Sequence, residues 1–169
     1  MMNANIFLID MESFYANIEK ALHVDLQNRP VVISGDPKRR NGIILAACPL
    51  AKSFGIQNAM PLWEAQKRCP HLVVLKPRMQ LYLDVSLHLT QILERFSDRV
   101  EPYSIDEQFI DIQGSESLFG SPYQIAKKIQ NTIYQELHLY ARIGMGPNKV
   151  LAKMACDQFA KKNQSGIFY

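Results

Sequence analysis

The stretch YSIDEQFIDI, residues 103–112, decides how the rest of the chain is read. Two carboxylates, Asp106 and Glu107, stand side by side inside an otherwise apolar, strand-like run. Adjacent like charges repel, and neighbouring residues of a strand point to opposite faces. The pair can meet at one place only if the chain bends there or a cation draws both groups in. One reading is the polar tip of a β-hairpin, but the usual Asn-Gly or Asp-Gly turn is absent. Ile105 before the pair and Phe109 and Ile110 after it argue against a simply solvated tip.

A third acid bears on the same question. NIFLID, residues 5–10, reads as a buried strand, and Asp10 stands at its end where the helical pattern MESFYANIEKAL begins. Asp10 taken alone is equally well read as an N-cap that satisfies free backbone N–H groups. Taken together, Asp10, Asp106 and Glu107 can converge on one rim of a sheet. Crowded carboxylates raise one another's pKa. Two Mg²⁺ ions about 3.5–4 Å apart turn the same crowding into ligation beside a substrate phosphate.

The remaining pattern is mixed α/β. Phe14, Ile18, Ala21 and Leu22 fall on one face of the first helix. RPVVISG and GIILAAC read as strands joined by the turn DPKRRNG, whose Lys38, Arg39 and Arg40 read as a solvated loop. PLAKSFGI reads as a helix begun by Pro49 and stopped at Gly55, and residues 61–70 as another. HLVVLKP is a short strand, and residues 78–97 are strongly helical through Leu81, Val85, Leu89, Ile92 and Phe96. Two strand-like runs, RVEPYSI and EQFIDI, precede an amphipathic helix over residues 121–137 with Ile125, Ile129 and Ile133 at i, i+4, i+8. LYARIGMG is a strand, PNKVLAKMACDQFAKK a helix, and GIFY the start of one more strand. The hairpin signals predict an antiparallel sheet packed on helices.

Composition sets bounds without choosing a function. The 169 residues are 47% hydrophobic and 21% charged, enough for one domain with a sizeable core, or one domain with an insertion. A net charge of +3 permits a polyanionic partner and does not require one. Cys48, Cys69 and Cys156 are widely spaced and odd in number, which speaks against a disulfide framework or a zinc site. There is no signal-peptide pattern and no apolar run of membrane-spanning length, so a cytosolic protein is expected.

FLIDMESFYANIE, PLAKSFGI, YSIDEQFIDI and GMGPNKVLAKMACD, in this order, resemble the motifs of Y-family (translesion) DNA polymerases. The resemblance covers nearly the whole chain and implies template-directed DNA synthesis during lesion bypass. It implies an antiparallel palm from residues 1–11 and 80–169, with a small fingers subdomain, residues 12–79, inserted after the first strand. It places the family's Mg²⁺ ligands on Asp10, Asp106, Glu107 and the backbone carbonyl of Met11. Tyr15 matches the aromatic steric gate that disfavours a ribose 2′-hydroxyl. Phe14 precedes it, and its place on the apolar face fits core packing better than nucleotide contact. Lys153 matches the palm lysine that approaches the triphosphate, against the plainer reading of an exposed helix lysine. Lys149 shares its helical face and takes no role.

The fingers are less faithful to the family. Pro49 and Lys52 stand where many relatives carry a tyrosine and an arginine against the triphosphate, and Ala46 lacks a hydroxyl found there in some. Lysine keeps the charge and loses the rigid bidentate fork of arginine. Lys127, Lys128, Lys161 and Lys162 read as solvated surface charge.

The expected partners are primer-template DNA and a deoxynucleoside triphosphate. The family's thumb and little-finger domains are not matched; a split polymerase would draw them from a separate chain. Fragment, split polymerase and decayed remnant all fit the sequence. The alternative function is a non-catalytic DNA-repair accessory that retains the fold. A nucleotide cyclase fits poorly, because the fingers and GPNKVLAK match polymerases.

Overall fold

In the computed structural model, residues 5–35 and 42–169 are described. The expected Lys38-Arg39-Arg40 turn lies outside them. The chain divides into two compact units, one of Met1–Glu12 with Leu83–Tyr169 and one of Ser13–Tyr82.

Strand β1 (Ile6–Met11) is followed by α1 (Phe14–Leu22). Asp10 is therefore a strand residue and not the cap of α1, correcting that reading. The residue preceding α1 is Ser13, in the left-handed region at φ 48° with no side-chain capping bond. The buried face of α1 also differs from the expected one. Phe14, Ala16, Ile18 and Glu19 are buried, whereas Leu22 is 56% exposed. Position in the fold overrides simple periodicity there, and it draws a carboxylate inside.

Strands β2 (Val31–Ser34) and β3 (Ile44–Ala47) pair antiparallel. Helix α2 (Pro49–Ser53) starts where Cys48 Sγ accepts the Ala51 N–H and Pro49 supplies a helical φ. Gly55, at φ +75°, provides the left-handed residue that stops it. Helix α3 (Leu62–Arg68) leads to β4 (Val73–Leu75), which pairs parallel to β2. This three-stranded sheet, in order β3-β2-β4, shares a core with Ala16, Leu26, Ala51, Ile56 and Leu62.

Helix α4 (Met79–Glu94) contains the boundary between the units. Beyond it lie β5 (Val100–Pro102), β6 (Glu107–Asp111), a short helix α5 (Glu116–Phe119) not expected from sequence, and α6 (Pro122–Leu137). A capping box between Ser121 and Gln124 opens α6, and Ile125, Ile129 and Ile133 are all fully buried. Strand β7 (Ala141–Gly146), helix α7 (Lys149–Gln158), a 3₁₀ turn (Ala160–Lys162) and β8 (Ile167–Phe168) complete the chain. The second sheet has the order β5-β6-β1-β7-β8 and is antiparallel except where β8 joins β7. The expected α/β class, with an antiparallel sheet packed on helices, is thus found.

The pleat of β1 sorts two environments. Phe7, Ile9 and Met11 face one side and are buried with Ile110, Ile143 and Met145. On this side Gln108 Nε2 donates to Ser86 O of α4 at 3.1 Å. Leu8 and Asp10 face the other, opposite Phe109 and Glu107 of β6 and opposite Gly144 and Arg142 of β7. Helix α7 lies on this second face, where Leu8, Phe109, Ala152, Cys156 and Ala160 form a core. Gly144 and Gly146 allow the approach. A Cβ at Gly144 would stand 2.2 Å from both Ala152 O and Cys156 N. Among the described residues no helix is long and apolar enough to cross a membrane.

Candidate active site

Antiparallel register places Asp10 directly opposite Glu107, and cross-strand partners share a face. Asp106 is not itself a strand residue. It ends the turn between β5 and β6, where the N–H groups of Tyr103 and Ser104 both donate to Glu107 O, at 3.0 and 2.9 Å. Ser104 Oγ donates to Asp106 Oδ1 at 2.8 Å and accepts the Glu107 N–H at 3.0 Å. The Met11 N–H donates to Asp106 O at 2.9 Å, tying the turn to the end of β1. Asp10, Met11, Asp106 and Glu107 therefore stand at one end of the sheet. The chain bends over Ser104–Asp106, so Asp106 stands outside the strand that Glu107 begins, with its carboxylate on Ser104 while that of Glu107 is on Lys153.

Helix α7 and the turn after it bring cations to these acids. Lys153 Nζ donates to Glu107 Oε1 at 2.6 Å and lies 3.7 Å from Asp157. Lys161 Nζ lies 2.6 Å from Asp10 and 2.7 Å from Asp157. The result is an alternating chain: Glu107, Lys153, Asp157, Lys161, Asp10. Lys161 is thus a partner of Asp10, not the solvated lysine expected from sequence. Asp157, which sequence reasoning also passed over, links both lysines. Their spacing on one helical face, Lys153 to Asp157 to Lys161 at successive i+4 positions, was the available signal.

Burial pushes the Asp10 carboxyl up to about 6; Lys161 opposes the rise and the neighbouring Glu107 carboxyl adds to it. Burial works against the charge of Lys161, but its bonds to Asp10 and Asp157 outweigh that and raise its pKa. Burial and the adjacent Asp10 push the Cys156 thiol up to about 12, so it stays protonated and donates to Arg142 O at 3.6 Å. Although Cys156 Sγ and carboxylate oxygens of Asp10 and Asp157 lie within 4.8 Å of one another, this thiol is a poor metal ligand.

The raised Asp10 value has a definite consequence for stability. Between pH 3.8 and about 6 the folded chain holds a proton on Asp10 that the unfolded chain has released. The contribution of Asp10 to stability therefore falls as pH rises through that window. Thermal melts of wild type and Asp10→Asn should show the wild type losing ground to the variant across it. A constant difference between the two would contradict the shift.

Beside Lys153, a cavity of about 420 Å³ is walled by Tyr103, Phe109, Lys149, Met154 and Asp157. Lys149 pairs with Glu101 and stands 5.7 Å from the Phe109 ring centroid, and Lys153 5.4 Å from that of Tyr103.

The other predicted residues belong to the second unit. Phe14 is 3% exposed, a core position. Tyr15 is half-buried and stacks on Tyr82, with ring centroids 4.4 Å apart and planes 13° apart. Lys52 is exposed and donates to Ser13 Oγ at 2.8 Å. Glu19, 2% exposed, accepts from Arg78 Nε at 2.9 Å, Arg78 Nη2 at 2.5 Å and the Tyr82 hydroxyl at 2.8 Å. The sequence offered only an acid on a helical face that the fold buries.

A profile of the impB/mucB/samB family matches residues 9–157. A protein of Bacillus subtilis (strain 168) named DNA polymerase IV 2 is 64% identical over 163 residues, which are 96% of this chain and 40% of that protein. One of the same name from Halalkalibacterium halodurans is 57% identical over 168 residues, 99% of this chain and 41% of its own. The chain thus spans about two fifths of the curated relatives it matches. Among solved structures, DinB from Sulfolobus solfataricus superposes with a TM-score of 0.84 at 26% identity, over 96% of this chain and 47% of that one. An insertion ternary complex of Dbh DNA polymerase gives 0.85 at 25% identity, with the same coverage.

Proposed function

This chain belongs to the impB/mucB/samB family of Y-family DNA polymerase domains, and from that membership we propose that it carries the reaction centre for template-directed DNA synthesis past lesions. The unit of Met1–Glu12 and Leu83–Tyr169 would serve as palm and the unit of Ser13–Tyr82 as fingers. The remaining domains of the polymerase would clamp primer and template, from this or a separate chain. Phosphate contacts supply most non-specific DNA affinity, so these domains would set the strength and salt dependence of binding. The setting would be the cytoplasm.

The observation that carries this reading is Asp10 facing Glu107 across adjacent strands, both joined to ammonium groups. Mg²⁺ takes hard oxygen donors, and these carboxylates supply them where positive charge already resides. Asp10, Asp106, Glu107 and the Met11 carbonyl would hold two Mg²⁺ ions. Bound there, the metal would supply charge stabilisation for the primer 3′-oxygen and the leaving pyrophosphate. Lys153, released from Glu107, would be free to approach the triphosphate, and Lys52 would do so from the fingers. Tyr15 would lie against the sugar.

The test is single-nucleotide insertion by this chain joined to the remaining domains of the Bacillus subtilis relative. Template-directed insertion of deoxynucleotides dependent on Mg²⁺ is expected. A folded chimera that binds primer-template and inserts nothing would refute the proposal and favour the accessory role. In the same assay Tyr15→Ala should raise ribonucleotide insertion relative to deoxyribonucleotide by about tenfold or more, the scale of a lost steric exclusion. An unchanged ratio would remove Tyr15 from the site.

A further inference from the structure

Two pairs of residues face each other inside the unit Ser13–Tyr82. Tyr15 and Glu19 stand one turn apart on α1; Arg78 and Tyr82 stand one turn apart where α4 begins. The rings of Tyr15 and Tyr82 stack, and below them the Glu19 carboxylate takes both the Arg78 fork and the Tyr82 hydroxyl. Tyr82 is fully buried and Glu19 nearly so. A buried carboxylate is costly unless charge and hydrogen bonds satisfy it. A planar guanidinium meets it with two parallel bonds and leaves little angular freedom.

We propose that Glu19, oriented by Arg78, is a positioning residue for sugar selection: it anchors the Tyr82 hydroxyl and so fixes the plane against which Tyr15 rests. The inference rests on Tyr15 acting as the steric gate. The half-buried Tyr15 ring can exclude a 2′-hydroxyl only if it cannot swing away, and offset stacking on a ring of fixed orientation resists that swing. The stack alone does not fix Tyr82, since a phenyl ring can slide and tilt within an apolar pocket. Its phenol, bonded to a carboxylate that is itself held by a bidentate arginine, removes that freedom. Arg78 therefore touches neither tyrosine's function directly, yet sets where both rings lie.

Two variants and two readouts test this. Tyr82→Phe keeps the ring and removes only the anchored hydroxyl; Glu19→Gln keeps an acceptor and removes the charge. In the 169-residue chain with ¹³C-labelled tyrosine, NMR relaxation should show faster ring motion of Tyr15 in both variants. In the chimera with the Bacillus subtilis domains, the ratio of ribonucleotide to deoxyribonucleotide insertion should rise about tenfold, the scale of one lost hydrogen bond to a charged group. Deoxynucleotide turnover should stay near wild type. Unchanged Tyr15 motion, or an unchanged ratio while Tyr15→Ala alters it, would overturn the positioning role and leave the gate standing. An equal fall in both insertion rates with a lower melting temperature marks a merely structural contact and also overturns it. If Tyr15→Ala leaves the ratio unchanged, the gate reading itself fails and this inference with it.

Discussion

Replacing Asp10 with Asn is expected to lower nucleotide insertion by about 10³-fold or more while leaving the chain folded. The side chain keeps its volume and one acceptor oxygen, so β1 keeps its pairing with β6 and β7. Lys161 keeps Asp157 as a partner at 2.7 Å. What disappears is the negative charge opposite Glu107. In the proposed reaction centre a carboxylate there would hold the metal that supplies several kcal/mol of transition-state charge stabilisation, and each 1.36 kcal/mol is about tenfold in rate. Calorimetric titration of the chain with Mn²⁺ or Mg²⁺ gives a readout apart from turnover, and the variant should bind weakly or not at all. Asp106→Ala should also abolish insertion if its carboxylate leaves Ser104 for the same ions. Full activity in a folded Asp10→Asn chimera would remove β1 from the reaction centre.

Gly144→Ala is expected to destabilise the chain severely for a single added methyl group. Its Cβ would meet Ala152 O and Cys156 N at 2.2 Å and Cys156 Cβ at 2.6 Å. Two of these three atoms are backbone in the interior of α7, so no side-chain rotation relieves the contact. Overpacking usually costs about 1–3 kcal/mol, and a rigid backbone contact belongs at or beyond the upper end. For a chain of this length that is roughly 10 °C in melting temperature. Lifting α7 from β7 would also draw Lys153 and Asp157 away from the acids, so the Asp10 titration should change together with stability. A melting temperature within about 2 °C of wild type would show that the helix can shift at little cost.

The strands were legible because buried strands leave unbroken apolar runs such as FLI and VVI, and the helices because isoleucine recurs every turn in α6. The Y-family resemblance was legible because several motifs stood in order. Leu22 lies on the expected apolar face of α1 yet is exposed, and Glu19, outside that face, is buried, since helical periodicity gives a face and not what covers it. The acidic chemistry at Asp10, Asp106 and Glu107 could be suspected from residue type and setting. Which residue of β6 faces Asp10 could not be read there, because register between β1 and β6 is fixed by pairing between segments remote in sequence.

What the sequence by itself determined is a set of residue types and their local setting: three acids at strand ends, a tyrosine after the first strand, and lysines on the last long helix. The tertiary structure decided which of them meet. Lys161 reached Asp10 because two glycines let α7 settle on β7, and Asp157 came to lie between two lysines for the same reason. Glu19 became an internal anchor only when Arg78 and Tyr82 arrived to satisfy it. Charge placement of this kind depends on distances between segments remote in sequence, and a buried charge is tolerated only where folding delivers its partner.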